Sequence, residues 1–336
     1  MFWRGMPVFD WLQVEVTSHC NASCLYCPRT VYRDRWLNRH LSLDIFEKLL
    51  PVFKRTRLVF LQGWGEPFLS PDFFAMAALA KKAGCAVGTT TNGMLLDEEK
   101  AARLVDTGVD VVAFSLAGTS ARNDFWRRGT RMAAVLGSIR RLAAAKARRR
   151  AAAPAIHVAY MLLRSGLDEL PQLPDVLAGT GVQQVVISTL DFVPAAGLEA
   201  EALSLEDRAE YAEMKALLDE VVDAGKQGGL EVHYRLPDWT NRRASCTENT
   251  TRAAFIAADG SVSPCVFTNL PVDGALLYVS RGREMPYRRL TFGNISTTPL
   301  AAIWHGRAYA EFRAAFATGR LGEPCANCPK LFDRTV

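Results

Sequence analysis

The chain has 336 residues, of which 49% are hydrophobic and 22% charged. That composition excludes disordered and fibrous classes, and the length suits about two domains with a large core. A net charge of +5, from 40 basic and 35 acidic residues, carries no nucleic-acid signature, and no apolar run approaches the ~18 residues of a membrane span.

In chain order, β-rich runs at 12–16, 58–61, 86–91, 109–116, 156–163 and 182–188 alternate with helical patterns at 43–53, 71–83, 97–106, 132–150 and 168–178. Six such units predict an α/β fold with a parallel sheet and right-handed crossovers. The basic run at 140–150 reads as a solvated helix end, where cations are favoured. A further helix is expected over 204–226, with Ser204 as N-cap and Gly228-Gly229 as its stop. The pattern then changes. Residues 255–258 and 261–266 predict a hairpin around Asp259-Gly260, and the rest is loop-rich apart from a short helix near 300–316. The boundary falls near 235–245.

The N-terminal ten residues lack an apolar secretion segment. The cytoplasm is therefore the expected compartment, and clustered cysteines there point to metal before disulfides. Cys20, Cys24 and Cys27 form C-x3-C-x2-C in the loop after the first strand, the strand end where parallel βα folds bind ligands. A structural zinc wants four ligands. Three thiolates on a four-iron cluster leave one iron open.

The stretch from Glu15 to Cys27, with Asn21 after the first cysteine and Tyr26 before the last, resembles the radical S-adenosylmethionine (SAM) superfamily. The next three strand ends add to the resemblance. Gly63-Trp64-Gly65-Glu66 is similar to the family's Gly-Gly-Glu motif, with Trp64 inserted; Thr91-Asn92-Gly93 is similar to its turn near the SAM ribose. Ser115-Leu116-Ala117-Gly118 resembles a further SAM-contacting motif, with Ala117 in place of Asp. The resemblance covers about residues 10–190 and implies a partial (β/α)6 TIM-like barrel. It also implies a [4Fe–4S] cluster on Cys20, Cys24 and Cys27 that chelates SAM and cleaves it to methionine and a 5′-deoxyadenosyl radical. The implied SAM contacts are Tyr26, Gly63, Gly65, Glu66, Thr91, Asn92, Ser115 and Arg128, with Arg127 the alternative to Arg128.

Cys246, Cys265, Cys325 and Cys328 resemble the C-terminal twitch domain, a shortened SPASM domain. The implied organisation is a barrel over 1–200, a linking helix over 201–240 and a twitch domain over 241–336. Four cysteines suffice for one auxiliary [4Fe–4S] cluster; four thiolates also suit tetrahedral zinc. A cluster with four protein ligands suits electron transfer. By resemblance to twitch dehydrogenases, the expected reaction oxidises a secondary alcohol of a sugar or aminocyclitol to a ketone, in antibiotic biosynthesis, with a flavodoxin or ferredoxin as donor. Epimerisation, decarboxylation and ribosomal-peptide maturation are the alternatives. With 19 residues before Cys20, a leader-peptide recognition domain is not expected, which favours a small-molecule substrate. Cys85, at the far end of the third strand, reads as a structural thiol, so no cysteine is left to return a hydrogen atom. Tyr160, Arg164 and Asp191, at later strand ends, are the candidate catalytic residues, with Phe192 beside them. His157 reads as core, and His19 as packing beside the cysteine loop.

Overall fold

The structure, a computed structural model, describes residues 7–203, 205 and 207–335. Seven strands run parallel and in sequence order: β1 (Phe9–Val14), β2 (Thr56–Leu61), β3 (Ala86–Thr91), β4 (Val111–Leu116), β5 (Ala155–Leu162), β6 (Gln184–Thr189) and β7 (Glu231–Pro237). Their registers set two faces. Leu12, Val59, Phe114, Val158, Leu162 and Val185 pack in the main core with Met76, Leu104, Ile139 and Leu218 of the covering helices. The alternate set, Gln13, Phe60, Thr90, Ser115, Ala159, Met161 and Ser188, lies on the opposite face and is half-buried. A side-chain period of two makes one face core and the other a lining.

Six of these strands match the sequence expectation to within a few residues. β7 was not expected: it lies inside the stretch assigned to a linking helix. Its neighbour, the helix Arg208–Gln227, is capped by Asp207, whose carboxylate accepts from the backbone N–H of Ala209 and Glu210 at 2.6 and 3.1 Å. Ser204, the expected cap, lies outside the described residues. The expected helix at 43–53 is two short ones, Leu43–Glu47 and Leu50–Phe53, because Pro51 has no N–H for the first to continue. The pattern at 168–178 resolves into a 3-10 run, Arg164–Gln172, and a short helix, Leu173–Leu177, with prolines at 171 and 174 breaking the hydrogen-bond series. The basic run does end a helix: Met132–Arg149 stops at Arg150 in the left-handed region.

The C-terminal segment returns to both edges of this sheet. β8 (Ala253–Ile256) pairs in parallel with β1, and β9 (Ser261–Ser263) folds back on β8 as the expected hairpin. β10 (Leu276–Ser280) and β11 (Arg283–Tyr287) form a separate two-stranded sheet, tied by a Val193–Val279 bridge to the segment following β6. β12 (Gly293–Asn294) extends β9, and β13 (Asp333–Thr335) pairs with β7. The expected helix near 300–316 is a pair, Leu300–His305 and Arg307–Thr318. Residues 257–332 therefore connect one edge of the parallel sheet to the other, across the loops at its C-terminal end. Among the described residues, no helix is long and apolar enough to cross a membrane.

Candidate active site

The loop carrying Cys20, Cys24 and Cys27 follows β1. It is fixed from one side by the turn after β4: Ser23 and Leu25 N–H donate to the carbonyls of Arg128 and Trp126 at 2.7 and 2.8 Å. It is fixed from another by the loop after β2, where Glu66 N–H donates to the His19 carbonyl at 2.8 Å. Gly65 makes that approach feasible. A Cβ there would sit 2.3 Å from the Thr17 oxygen and 2.4 Å from the His19 oxygen. A Cβ on Gly63 would overlap the Glu15 side chain. Gly65 is thus required by close backbone packing against the segment leading into Cys20, and Gly63 by the Glu15 side chain.

Glu66 is 2% exposed. Its carboxylate accepts from Thr91 Oγ1 and Asn92 N–H, both at 2.7 Å, and from Phe68 N–H at 3.4 Å. Burial pushes its pKa up to about 6 despite those donors. Glu66 therefore orders the turn after β3. Asn92 in turn donates through Nδ2 to Asn21 Oδ1 at 2.8 Å and lies 3.9 Å from Cys20 Sγ. Four strand ends meet here as the sequence motifs imply, with Ser115 on the half-buried face.

The arginine is corrected. Arg128 is exposed, its guanidinium over the Phe125 ring. Arg127 is 6% exposed and donates from Nη1 to Tyr26 Oη at 2.7 Å; its Nε is buried with no hydrogen-bond partner among the described residues. An orphaned guanidinium N–H near Cys20 and Cys24 is a donor suited to an anion. Two of the three candidate catalytic residues are also corrected. Tyr160 belongs to the helix-facing core, because its even register on β5 turns it away from the lining face. Arg164 pairs with Glu210 at 2.7 Å on the surface and is 42% exposed. His157, expected in the core, is half-buried on the lining face, where burial lowers its pKa. His19 stacks on His40 with ring centroids 4.4 Å apart. Cys85 is buried in the core, its thiol 3.2 Å from the Phe53 carbonyl.

Two residues of the motifs take structural roles that the sequence does not assign. Glu15, fully buried, accepts from Trp64 N–H at 2.8 Å and Ala258 N–H at 3.1 Å, joining the Gly-Trp-Gly-Glu loop to the β8–β9 turn. Its position five residues before Cys20 was the available signal. The inserted Trp64 lies against Trp36 and Phe267, with centroids 6.4 and 6.1 Å away, and donates to the Asn269 carbonyl at 3.3 Å. It spans from the first cysteine loop to the one following Cys265.

The other four cysteines line a single pocket, together with Asp191, Phe192, Glu248, Thr250, Phe267 and Lys330. Asp191, the third candidate catalytic residue, is directed into this cavity. Burial pushes the thiols up, Cys246 to about 12, Cys325 to about 11, and Cys265 and Cys328 well above the usual value. Thiolates there need a positive centre to be stable. Among the described residues, no group of three metal-ligating side chains converges tightly enough for a single ion. Four cysteine thiols around one pocket supply the donor set that a four-thiolate iron–sulfur cluster requires. Both cysteine sets fit the iron–sulfur groups implied for them.

Comparison with known proteins accords with this geometry. The radical SAM superfamily model matches residues 14–170, and the model of an iron–sulfur cluster-binding domain, SPASM, matches 246–329. The tungsten-containing aldehyde ferredoxin oxidoreductase cofactor-modifying protein of Pyrococcus furiosus is 28% identical over 95% of this chain and 86% of its own. The PqqA peptide cyclase of Granulibacter bethesdensis is 24% identical over 95% of this chain and 79% of its own. Among solved structures, SuiB of Streptococcus suis bound to S-adenosylmethionine superposes with a TM-score of 0.68 at 13% identity, covering 92% of this chain and 68% of that one. The chain belongs to the radical SAM superfamily, as an enzyme with a SAM-binding [4Fe–4S] domain and a C-terminal SPASM domain for further iron–sulfur chemistry.

Proposed function

We propose that this enzyme carries out a net two-electron oxidation, in which the substrate gives up a hydrogen atom, then an electron, and releases a proton to solvent. The observation that carries this reading is the pocket lined by four cysteines, enough to fill every ligand position of an auxiliary cluster. Such a site has no coordination vacancy for substrate and is suited to accepting an electron. When bound, SAM and its cluster supply a primary carbon radical, and the auxiliary [4Fe–4S] cluster supplies a one-electron acceptor.

The chain's own residues do the rest. Cys20, Cys24 and Cys27 hold one cluster, and Cys246, Cys265, Cys325 and Cys328 the other. Arg127 holds the SAM carboxylate through its unpartnered N–H, with Tyr26 fixing the guanidinium. Glu66 keeps the Thr91-Asn92 turn in place, and the Gly63–Gly65 backbone gives close access to the ligand. Ser115, Thr90 and Ser188 line the face that receives substrate. Trp64 and Phe267 keep water from the space between the two sites. A small acidic electron carrier, flavodoxin or ferredoxin, supplies the reducing electron.

For the substrate we favour a peptide side chain or a peptide-like segment, since a peptide cyclase and a cofactor-modifying protein align over 95% of the chain. Oxidation of a sugar or aminocyclitol alcohol to a ketone is the second reading, favoured by the hydroxyl side chains on the lining face. Anaerobic turnover with a candidate precursor peptide and with polyols, read by mass spectrometry, tests both. Loss of two hydrogens from one class and not the other is the expected result. A product of unchanged mass in H2O that gains one carbon-bound deuterium in D2O would establish epimerisation and overturn the oxidation.

A further inference from the structure

Lys330 lies two residues after Cys328 and is 5% exposed. Its Nζ is 2.6 Å from Asp191 Oδ2, itself 6% exposed, and 3.8 Å from Glu248 Oε1. It also lies 5.7 Å from the centroid of the Phe267 ring. Asp191 stands just past the C-terminal end of β6 and is fixed there by Thr189 Oγ1, which donates to Oδ1 at 3.0 Å. All three charged groups line the cavity of the four cysteines, and Lys330 is the only cation among the described residues that do so.

We propose that Lys330 sets the reduction potential of the auxiliary centre, and that Asp191 is the positioning residue that holds its ammonium on the cavity wall. This rests on the reading of Cys246, Cys265, Cys325 and Cys328 as cluster ligands. A four-thiolate cluster is anionic and becomes more so when it takes an electron. Two carboxylates on the same wall oppose that change, and the buried ammonium favours it. Buried charges are screened less than surface ones, so each acts on the cluster more strongly than an exposed charge at the same distance would. Asp191 also ties the potential to the barrel mouth: the residue that orients the cation projects from the strand end that borders the substrate face.

The geometry demands shifts of opposite sign. Lys330→Met removes the cation and lowers the auxiliary potential. Asp191→Asn removes a negative charge while keeping a side-chain oxygen to accept from the ammonium, and raises it. Lys330→Arg keeps the charge and leaves the potential near that of the wild type. The experiment is an EPR-monitored redox titration of the anaerobically reconstituted full chain. The SAM-binding cluster is identified by the change in its signal on adding SAM. A tenfold change in the oxidised-to-reduced ratio corresponds to about 59 mV for a one-electron couple, and at least that is expected between Lys330→Met and Asp191→Asn. Shifts in one direction, or potentials unmoved in both variants, would overturn the proposal while leaving the cluster assignment intact. About four irons in the wild type, unchanged by Cys246→Ala/Cys265→Ala, would instead refute the cluster reading and this proposal with it. If one variant loses its auxiliary iron, the sign of the shift in the other decides.

Discussion

Gly65→Ala is the sharpest perturbation of the SAM site. The new methyl would lie 2.3 Å from the Thr17 carbonyl oxygen, 2.4 Å from that of His19 and 2.9 Å from the Ser18 carbonyl carbon. Ordinary contacts begin above ~3.3 Å, so the loops must separate by about 1 Å. All three obstacles are backbone, so no side-chain rotation relieves them. The separation breaks the hydrogen bond from Glu66 N–H to the His19 carbonyl, worth about 0.5–1.5 kcal/mol, and overpacking adds roughly 1–3 kcal/mol. A loss of about 2–4 kcal/mol in stability follows. The functional loss is of similar size, since a 1 Å misplacement of reacting groups costs on the order of 100-fold, about 2.7 kcal/mol. The assay is SAM binding and 5′-deoxyadenosine formation by the anaerobically reconstituted protein, with iron content alongside. Auxiliary iron should persist, since that cavity lies on other loops. Gly137→Ala is the control: it lies in the helix Met132–Arg149 with nothing within 4 Å of its Cβ, and should gain about 0.5–1 kcal/mol with unchanged turnover. Wild-type SAM affinity and turnover in Gly65→Ala would refute the claim that this glycine sets the spacing of the two loops.

Arg127→Met should weaken SAM binding by about 10–100-fold, the range for a buried charge-assisted hydrogen bond, while Arg128→Met should stay within about twofold; equilibrium binding of SAM compares them. Tyr160→Phe should leave turnover within about twofold because the ring faces the helices, and Arg164→Ala should cost only the ~0.2–1 kcal/mol of a surface ion pair; a tenfold fall in kcat for either would return that residue to the site. Glu15 titrates near 4.5 unfolded, and burial pushes it up to about 7 in the fold. The native state therefore binds this proton more tightly, and stability falls as pH rises from about 4.5 to 7, by on the order of 3 kcal/mol, then levels off. Glu15→Gln should flatten that slope in urea unfolding at pH 5 and 7.5.

The chemistry was legible where it rests on local spacing. C-x3-C-x2-C and the three loop motifs each occupy a few consecutive residues at a strand end. Once the strands are placed in parallel, those ends must meet. What was not legible depends on side-chain direction. Tyr160 sits near the right end of β5, yet one residue of register turns it to the helix side, and Met161 lines the face in its place. Arg127 and Arg128 are chemically equal as sequence. Only the pairing of the Trp126 and Arg128 carbonyls with the cysteine loop decides which guanidinium is buried. β7 was hidden for a different reason. Glu231, His233 and Arg235 alternate with Val232, Tyr234 and Leu236, a clean period of two. The run is short and directly follows a long helix, so it falls within the expected linking-helix stretch 201–240.

Asp191 shows how the two halves of the enzyme meet. Position at a strand end marked it as a residue of the barrel mouth, and that was right about its backbone. Its carboxylate points elsewhere, to Lys330 and the second cysteine set, a partner 139 positions away that no local pattern encodes. The C-terminal segment reaches it because β8 and β13 anchor that segment to opposite edges of the sheet. Removing either anchor should therefore loosen the auxiliary site before the first cysteine loop. Arg252 pairs with Asp10 of β1 at 2.8 Å just ahead of β8, and Asp10→Ala should lower auxiliary iron retention under chelator while the SAM-binding cluster stays. Equal loss from both clusters would mean that β8 supports the whole sheet and not the auxiliary site in particular.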